Sequence, residues 1–348
     1  MTRARLDVLR ARVLASAMIM GVALGAVLPA RADVGNAGTT AAGFLAAPPG
    51  AGSSGMAGAT LALGGDLAAA TFNPASLGRI HGFELALSHS ELADGSRHEW
   101  AAAGGAMGPW PTRWALSGLY AGQGTFEGRD AFNQPTTNFT ASSFAVGAAL
   151  AQPLGRLATL GIGAKLVSEN LGSVTGTGVT FDAGLVARAG PIGLGASARN
   201  VGGTLRYGGV GYEFPSDYGV GVSFEHASGV RFEVDGHFPR DYYNDVRAGV
   251  EYLWHERLAL RAGYRRELQS DAATEPLNGP SFGLGAGLRG VWLDYAYLPS
   301  LAGQTEQRIG IVLCSAGPGW HGAELGRKSD PAPMPAPAKT HYSEAPPK

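Results

Sequence analysis

The stretch RLALRAGYRR, Arg257 to Arg266, sets Leu258, Leu260, Ala262 and Tyr264 in one phase and Arg261, Gly263 and Arg265 in the other. Period two belongs to a β-strand with one apolar face, because successive side chains leave opposite sides of the pleat. The same alternation recurs along the chain. In FEVDG, Phe232 and Val234 oppose Glu233 and Asp235; in DVRAGVEY, Val246, Ala248 and Val250 oppose Arg247 and Glu251; in RIGIVL, Ile309, Ile311 and Leu313 oppose Arg308 and Gly310. Counting such segments predicts about fourteen strands. They fall near 82–89, 99–107, 112–121, 142–151, 157–168, 178–188, 191–200, 217–226, 230–238, 245–254, 257–266, 281–289, 291–298 and 306–315.

The connections add a second pattern. Short turns (GPWP, QPLGR, RAGP, ASG, WHE, RG) alternate with long stretches at Gly122 to Ala141, Val201 to Ser216 and Glu267 to Pro280. Short turns at one rim and long loops at the other are expected of an antiparallel barrel in an outer membrane, and an even strand number returns both ends to the short-turn, periplasmic side. The faces follow from desolvation. One phase carries Leu, Ile, Val and Ala with hardly a charge. The other carries Lys165, Asp182, Arg188, Arg199, Glu225, Arg231, Glu233, Asp235, Arg247, Glu251, Arg261, Arg265, Arg289, Asp294 and Arg308. A charge on lipid at mid-bilayer costs ~2–4 kcal/mol, so the charged phase is expected to line the lumen, with Arg and acid side chains paired across strands. A soluble β-sandwich with its charged phase in water would show the same alternation. It leaves unexplained the turn asymmetry and the aromatics near strand ends, Tyr207, Tyr218, Tyr243, Trp254, Trp292 and Tyr297.

Composition narrows the class further. Lys and Arg number 27 against 28 Asp and Glu, a net charge of −1, so there is no basic footprint for nucleic acid. Arg3, Arg5, Arg10 and Arg12 precede an apolar run, Val13 to Leu28, and the small-x-small site Ala30-Arg31-Ala32. This order predicts a signal peptide over 1–32, cleaved before Asp33, and export to the outer membrane of a Gram-negative cell. The single Cys314 permits no internal disulfide. Residues 316–348 are rich in Pro and Ala and read as a flexible extension without a core of their own.

Between the leader and the first strand runs GMAGATLALGGDLAAATFNPASLG, Gly55 to Gly78. Gly and Ala let backbones approach closely, and Pro74 biases Asn73 away from the α region, so a helix is expected to end or kink there. The wider stretch from Gly38 to Leu92 resembles the opening of the PorV/PorQ family of outer-membrane proteins, a branch of the FadL-like barrel fold. GIGAKLVSENL at Gly161, FDAGL at Phe181, ARNVGG at Ala198, LALRAGY at Leu258 and LDYAYLP at Leu293 continue the likeness. The resemblance implies an all-β fold: a transmembrane antiparallel barrel of about fourteen strands over 81–315, with a short helical plug inside the N-terminal segment 33–80. It assigns Asn73, Pro74 and Ala75 to the plug motif. Gly55, Gly58, Gly64, Gly65 and Asp66 are then expected in the plug's packing surface, and Arg199, Arg247, Glu251, Arg261, Arg265 and Asp294 in the charged lumen. The last strand, ending near Leu313-Cys314-Ser315, departs from the terminal aromatic usual in such barrels.

No catalytic constellation appears. GAGLRG, Gly285 to Gly290, spells a dinucleotide loop but lies within a strand with no helix after it, and the eight His are scattered without a metal-ligand spacing. His89-Ser90 has no G-x-S-x-G elbow around it. No catalytic residue, cofactor or metal is expected. The resemblance implies a non-enzymatic accessory or docking protein for secreted proteins or secretion-system components. The same fold also houses channels for hydrophobic small molecules with the plug as gate, and a purely structural barrel is a third reading. Outer-membrane lipid is a partner in every case.

Overall fold

The computed structural model describes residues 38–47, 49–92, 94–268, 278–299 and 305–315. The signal peptide expected over 1–32 and the extension expected over 316–348 lie outside them. The strands are β1 (Phe83–Glu91), β2 (Arg97–Ala106), β3 (Arg113–Phe126), β4 (Phe139–Leu154), β5 (Ala158–Leu171), β6 (Val174–Ala189), β7 (Ile192–Val201), β8 (Leu205–Tyr207), β9 (Val210–Tyr212), β10 (Asp217–Glu225), β11 (Val230–Pro239), β12 (Asp245–Trp254), β13 (Leu258–Glu267), β14 (Gly279–Leu288), β15 (Val291–Pro299) and β16 (Thr305–Cys314). Fourteen of them close one antiparallel barrel. Neighbours in sequence pair throughout, β7 pairs with β10, and the seam joins β1 to β16 from Glu84↔Cys314 to Glu91↔Gln307. The stretch Val201 to Ser216, read from sequence as a loop, holds the β8–β9 hairpin, which leans on β6.

Burial is inverted relative to a water-soluble domain. Ile162 and Leu166 are each 63% exposed on the outside, while Glu233 and Asp235 on the inside are 0% exposed. Water around such a surface would leave a continuous apolar belt unburied, so the belt requires lipid, and the sandwich alternative fails with it. Within the assumed charged phase one residue departs: Arg289 sits in the β14–β15 turn and is exposed, not luminal. Two of the rim aromatics depart as well. Trp292 is 2% exposed and faces inward, its indole N–H donating to Asp294 (2.9 Å), and Tyr207 belongs to the β8–β9 hairpin.

One wall is taller than the rest. β3 to β6 are 14, 16, 14 and 16 residues long, against 9 or 10 for the other barrel strands. Their upper outward positions are Thr140, Ser142, Ser168, Asn170, Thr175 and Thr177, so the hydrophobic alternation stops while pairing continues. That is why these strands overrun their sequence-based ends. It also puts a two-residue turn, Gly172–Ser173, on the rim that otherwise carries the long connections.

The N-terminal segment fills the barrel. It makes a 3₁₀ turn at Gly43–Leu45, one short helix α1 (Ala51–Ser54), and 3₁₀ turns at Ala69–Thr71 and Pro74–Arg79. Ala59, Leu61, Ala62, Phe72, Leu77 and Ile80 are fully buried. Pro74 opens a turn here. Asn73 is extended (φ −148°, ψ 108°) and caps that turn by accepting from the Ala75 N–H (3.0 Å), with the missing Pro74 N–H at a position that needs no partner.

Candidate functional site in the barrel lumen

The plug is held by side chains of the inward phase gripping its backbone. Irregular chain in a lumen has unpaired N–H and C=O groups, and each must find a partner. On β11, Asp235 Oδ2 accepts from the N–H of Thr60 (2.9 Å) and Leu61 (3.2 Å). Two residues before it, Glu233 accepts from Ala62 (2.5 Å) and Leu63 (2.8 Å), one bond on each oxygen. The carbonyls of Ala62 and Leu63 are taken by the Arg188 guanidinium from β6 (2.8 and 2.7 Å). Arg79, at the end of the last plug turn, reaches the Leu63 carbonyl and shares Glu225 with Arg188. Asn73 closes the knot by donating to the carbonyls of Leu61 (2.7 Å) and, on the wall, Leu185 (3.1 Å).

Between these grips the plug rests on wall glycines. A Cβ built on Gly184 would stand 1.9 Å from the side-chain Oδ1 of Asn73, on Gly161 2.2 Å from the Ala75 nitrogen, and on Gly195 2.4 Å from the Leu61 carbonyl oxygen. On Gly263 it would meet the Met56 carbonyl carbon at 2.4 Å. The inward phase also carries Ser, Ala and aromatic side chains such as Trp100 and Trp292, but against these parts of the plug it sets charges where the plug presents polar backbone and glycine where it presents bulk. The plug's own glycines answer in kind. A Cβ at Gly55 would lie 2.8 Å from the Gly283 Cα, and one at Gly58 (φ 77°) would meet Arg247 at 2.9 Å. At Gly64 (φ 60°) it would meet Ser76 at 2.8 Å, whereas Gly65 (φ 108°) faces only Arg79, at 4.0 Å. Asp66 is half-buried and caps the next turn by accepting from the Ala69 N–H (2.6 Å); burial pushes its carboxyl above the usual value of 3.8.

The six expected lumen charges all face inward, and each is paired. Arg199 meets Asp217 (2.6 Å), Arg247 meets Asp245 (2.6 Å), and Arg265 shares Asp245 (2.8 Å). Glu251 bridges Arg231 and Arg261, and Arg261 continues to Asp294 (2.5 Å). Asp182 bonds Lys165 (2.7 Å) rather than Arg199, and Glu233 holds the plug rather than pairing with Arg247. Higher up, Glu169 of the tall wall accepts from the Ala42 N–H (3.1 Å), Ser143 and the Tyr207 hydroxyl, tying the start of the plug to the hairpin. Burial, and then that bond, raise the Tyr207 phenol.

Above the plug, under the long-connection rim, lies a cavity of about 450 Å³. Ala46, Ala47, Ala57, Pro215, Pro239, Pro280 and Leu298 line its sides together with Asp241, Arg265, Glu306 and Arg308, and its floor is the paired Arg199, Asp217, Asp245 and Arg247. The size falls in the range of small-molecule pockets, about 300–1,000 Å³. No other chemistry converges here. Among the described residues no group of three or more His, Cys, Asp or Glu is placed to hold a metal. GAGLRG runs from β14 into its turn, and His89 is exposed beside Glu99 (2.7 Å) while Ser90 is buried on the other face.

The wall glycines escaped the sequence reading, although the signal was present: Gly163, Gly195, Gly249, Gly263 and Gly283 fall in the charged phase of their strands, not the apolar one.

No known family profile matches the chain, and no curated protein sequence is similar to it. Solved structures are. The crystal structure of the P. putida toluene transporter TodX superposes with a TM-score of 0.52 at 14% identity, covering 75% of this chain and 96% of that one. A mutant of the same monoaromatic hydrocarbon channel, deltaS2S3, gives 0.54 at 16% identity over 76% and 97%. At these identities the likeness is one of fold. The chain has the architecture of an outer-membrane β-barrel with its lumen occupied by its own N-terminal segment.

Proposed function

We propose that the protein is a passive outer-membrane channel for small, uncharged hydrophobic molecules, with the N-terminal segment as its gate. The observation that carries this reading is the cavity at the long-connection rim. Its walls carry Ala, Pro and Leu, and the charges that also line it are matched: Arg199, Arg247, Arg265 and Arg308 by Asp217, Asp245 and Glu306 in ion pairs, and Asp241 by the Thr40 hydroxyl, so an apolar neutral solute loses little there while a free carboxylate would have to break a pair. The likeness to a hydrocarbon channel supports the fold of such a protein; fold alone does not fix the cargo.

A second reading keeps the barrel closed. The plug is bonded to the wall by the carboxylates of Glu169, Glu225, Glu233 and Asp235, by the Arg188 guanidinium and through Asn73, an arrangement suited to a barrel that docks proteins rather than passes solutes. The resemblance of Gly38 to Leu92 to the PorV/PorQ family points the same way, toward secreted proteins or secretion-system components as partners. Planar-bilayer conductance and toluene uptake into vesicles separate the two. The channel reading expects toluene flux through the parent and a further rise in conductance after deleting Gly55 to Ser76. A parent that passes no toluene but copurifies with exported proteins would replace it with the docking reading.

A further inference from the structure

On the outer surface at the short-turn rim, two turns stand side by side. The β12–β13 turn, His255 to Arg257, and the β14–β15 turn, Arg289–Gly290, are joined by a bond from the Gly287 N–H to the Arg257 carbonyl (2.7 Å). Directly above them, toward the membrane core, the barrel surface is grooved, with a volume of about 930 Å³. Ala286 forms the floor, because it pairs in register with Leu258 on one side and Leu293 on the other, and both neighbours stand taller. Leu288 is 60% exposed and lines the same groove. The mouth of this apolar cleft carries two exposed guanidiniums, Arg257 and Arg289. Among the described residues neither forms an ion pair; Glu256, in the same turn, is exposed and bonds to neither.

The backbone beneath them is strained. Arg289 (φ 52°) and Gly290 (φ 85°) make a two-residue hairpin turn with both residues left-handed, where Asn-Gly is the favoured pair. His255 (φ 49°) and Glu256 (φ 56°) are also left-handed, so three side-chain-bearing residues hold this costly conformation within two adjacent turns. An arginine kept where Asn would fit better calls for something that uses the guanidinium.

We propose that this groove is a binding site for an anionic glycerophospholipid of the periplasmic leaflet, one acyl chain lying over Ala286 between Leu258 and Leu293 and the phosphate held by Arg257 and Arg289. The depth is right for it: apolar residues end where the two turns begin, which is where headgroup phosphates lie beside a barrel of this orientation. Planar guanidiniums bind phosphate through paired N–H donors, which an ammonium does not match. The inference rests on the barrel spanning a membrane and is indifferent to what passes through its lumen.

Native mass spectrometry of the detergent-purified chain tests it with three probes: phosphatidylglycerol, diacylglycerol of the same chains, and glycerol phosphate. The parent is expected to retain phosphatidylglycerol at about tenfold lower lipid concentration than diacylglycerol. Arg257→Gln with Arg289→Asn should abolish that preference, although Asn relieves the left-handed turn and should leave a heat-modifiable barrel intact. Ala286→Phe fills the floor and should weaken both lipids while leaving the guanidiniums untouched. Equal retention of the two lipids by the parent, an unchanged preference in the double variant, or displacement of phosphatidylglycerol by equimolar glycerol phosphate would each overturn the assignment.

Discussion

Replacing Glu233 by Gln and Asp235 by Asn, one at a time, asks how the plug is held. The two acids sit two residues apart on the same face of β11 and accept four consecutive plug N–H groups, but they do so differently. Both bonds of Asp235 fall on Oδ2, so Asn can keep its oxygen there and turn its NH₂ toward the other position. That position has no partner now, and a Cβ built on Gly221 would find it and the Glu233 Oε1 as its two nearest atoms. Asp235→Asn therefore gains a donor next to a carboxylate and is expected to be neutral or slightly stabilising. Glu233 uses one oxygen for Ala62 and the other for Leu63. Gln must present an NH₂ to one of these N–H groups, leaving a buried donor without an acceptor at ~1–3 kcal/mol. Since about 1.4 kcal/mol is tenfold, amide exchange at Ala62 and Leu63 should speed up about ten- to hundredfold in Glu233→Gln, with the barrel strands unchanged. Hydrogen exchange by mass spectrometry on the plug peptide reads it. Equal exchange in the two variants would refute the idea that bond-by-bond geometry, rather than bulk charge, holds the plug.

Two further outcomes follow from the same packing. Gly184→Ala should loosen the plug by ~1–3 kcal/mol through overlap with Asn73, whereas Gly118→Ala, with nothing within 4 Å of its Cβ, should change stability by less than about 0.5 kcal/mol; thermal loss of heat-modifiable mobility measures both, and similar midpoints would count against a plug packed on the wall. Asp66 gives a pH dependence: its folded carboxyl titrates above 3.8, so its contribution is full below that value and is lost as pH rises through the folded value. Asp66→Asn keeps the cap on Ala69 without that loss, so its plug should be better protected from exchange than the parent's at pH 7 and equal to it at pH 3, and the same difference at both pH values would sink the assignment.

The barrel was legible because its alternation is physical. A strand between lipid and a charged lumen has to keep apolar and polar residues in turn, and Leu260 to Arg265 does so without a break. Legibility stopped where that constraint stops. Above the lipid, Thr140, Ser142 and Asn170 face water, pairing no longer needs an apolar phase, and the ends of β3 to β6 were read short. Ion-pair partners were out of reach because register decides them. Arg199 lies directly across from Asp217, and Arg231 across from Glu251, whereas Asp182 sits at a register shift between β6 and β7 that turns it toward Lys165. The plug segment was recognised by its small residues and by family resemblance, but its knot of Asn73, Leu61 and Leu185 joins three distant stretches through a turn that Pro74 starts rather than ends.

The glycine lanes of the wall carry a consequence for biogenesis. The plug precedes β1 in the chain, and β1 is one side of the seam whose other side, β16, is synthesised last. Gly161, Gly184, Gly195 and Gly263 accept plug backbone at distances that leave no clearance for sliding it past finished walls. Where it is present, the segment is then expected to seat before the seam zips, the sheet curling around it, while a chain that lacks it can still close around an open bore. Time-resolved crosslinking should accordingly capture plug-to-β11 contact before β1-to-β16 contact, and the N-terminal segment becomes a participant in the closure of the barrel that surrounds it.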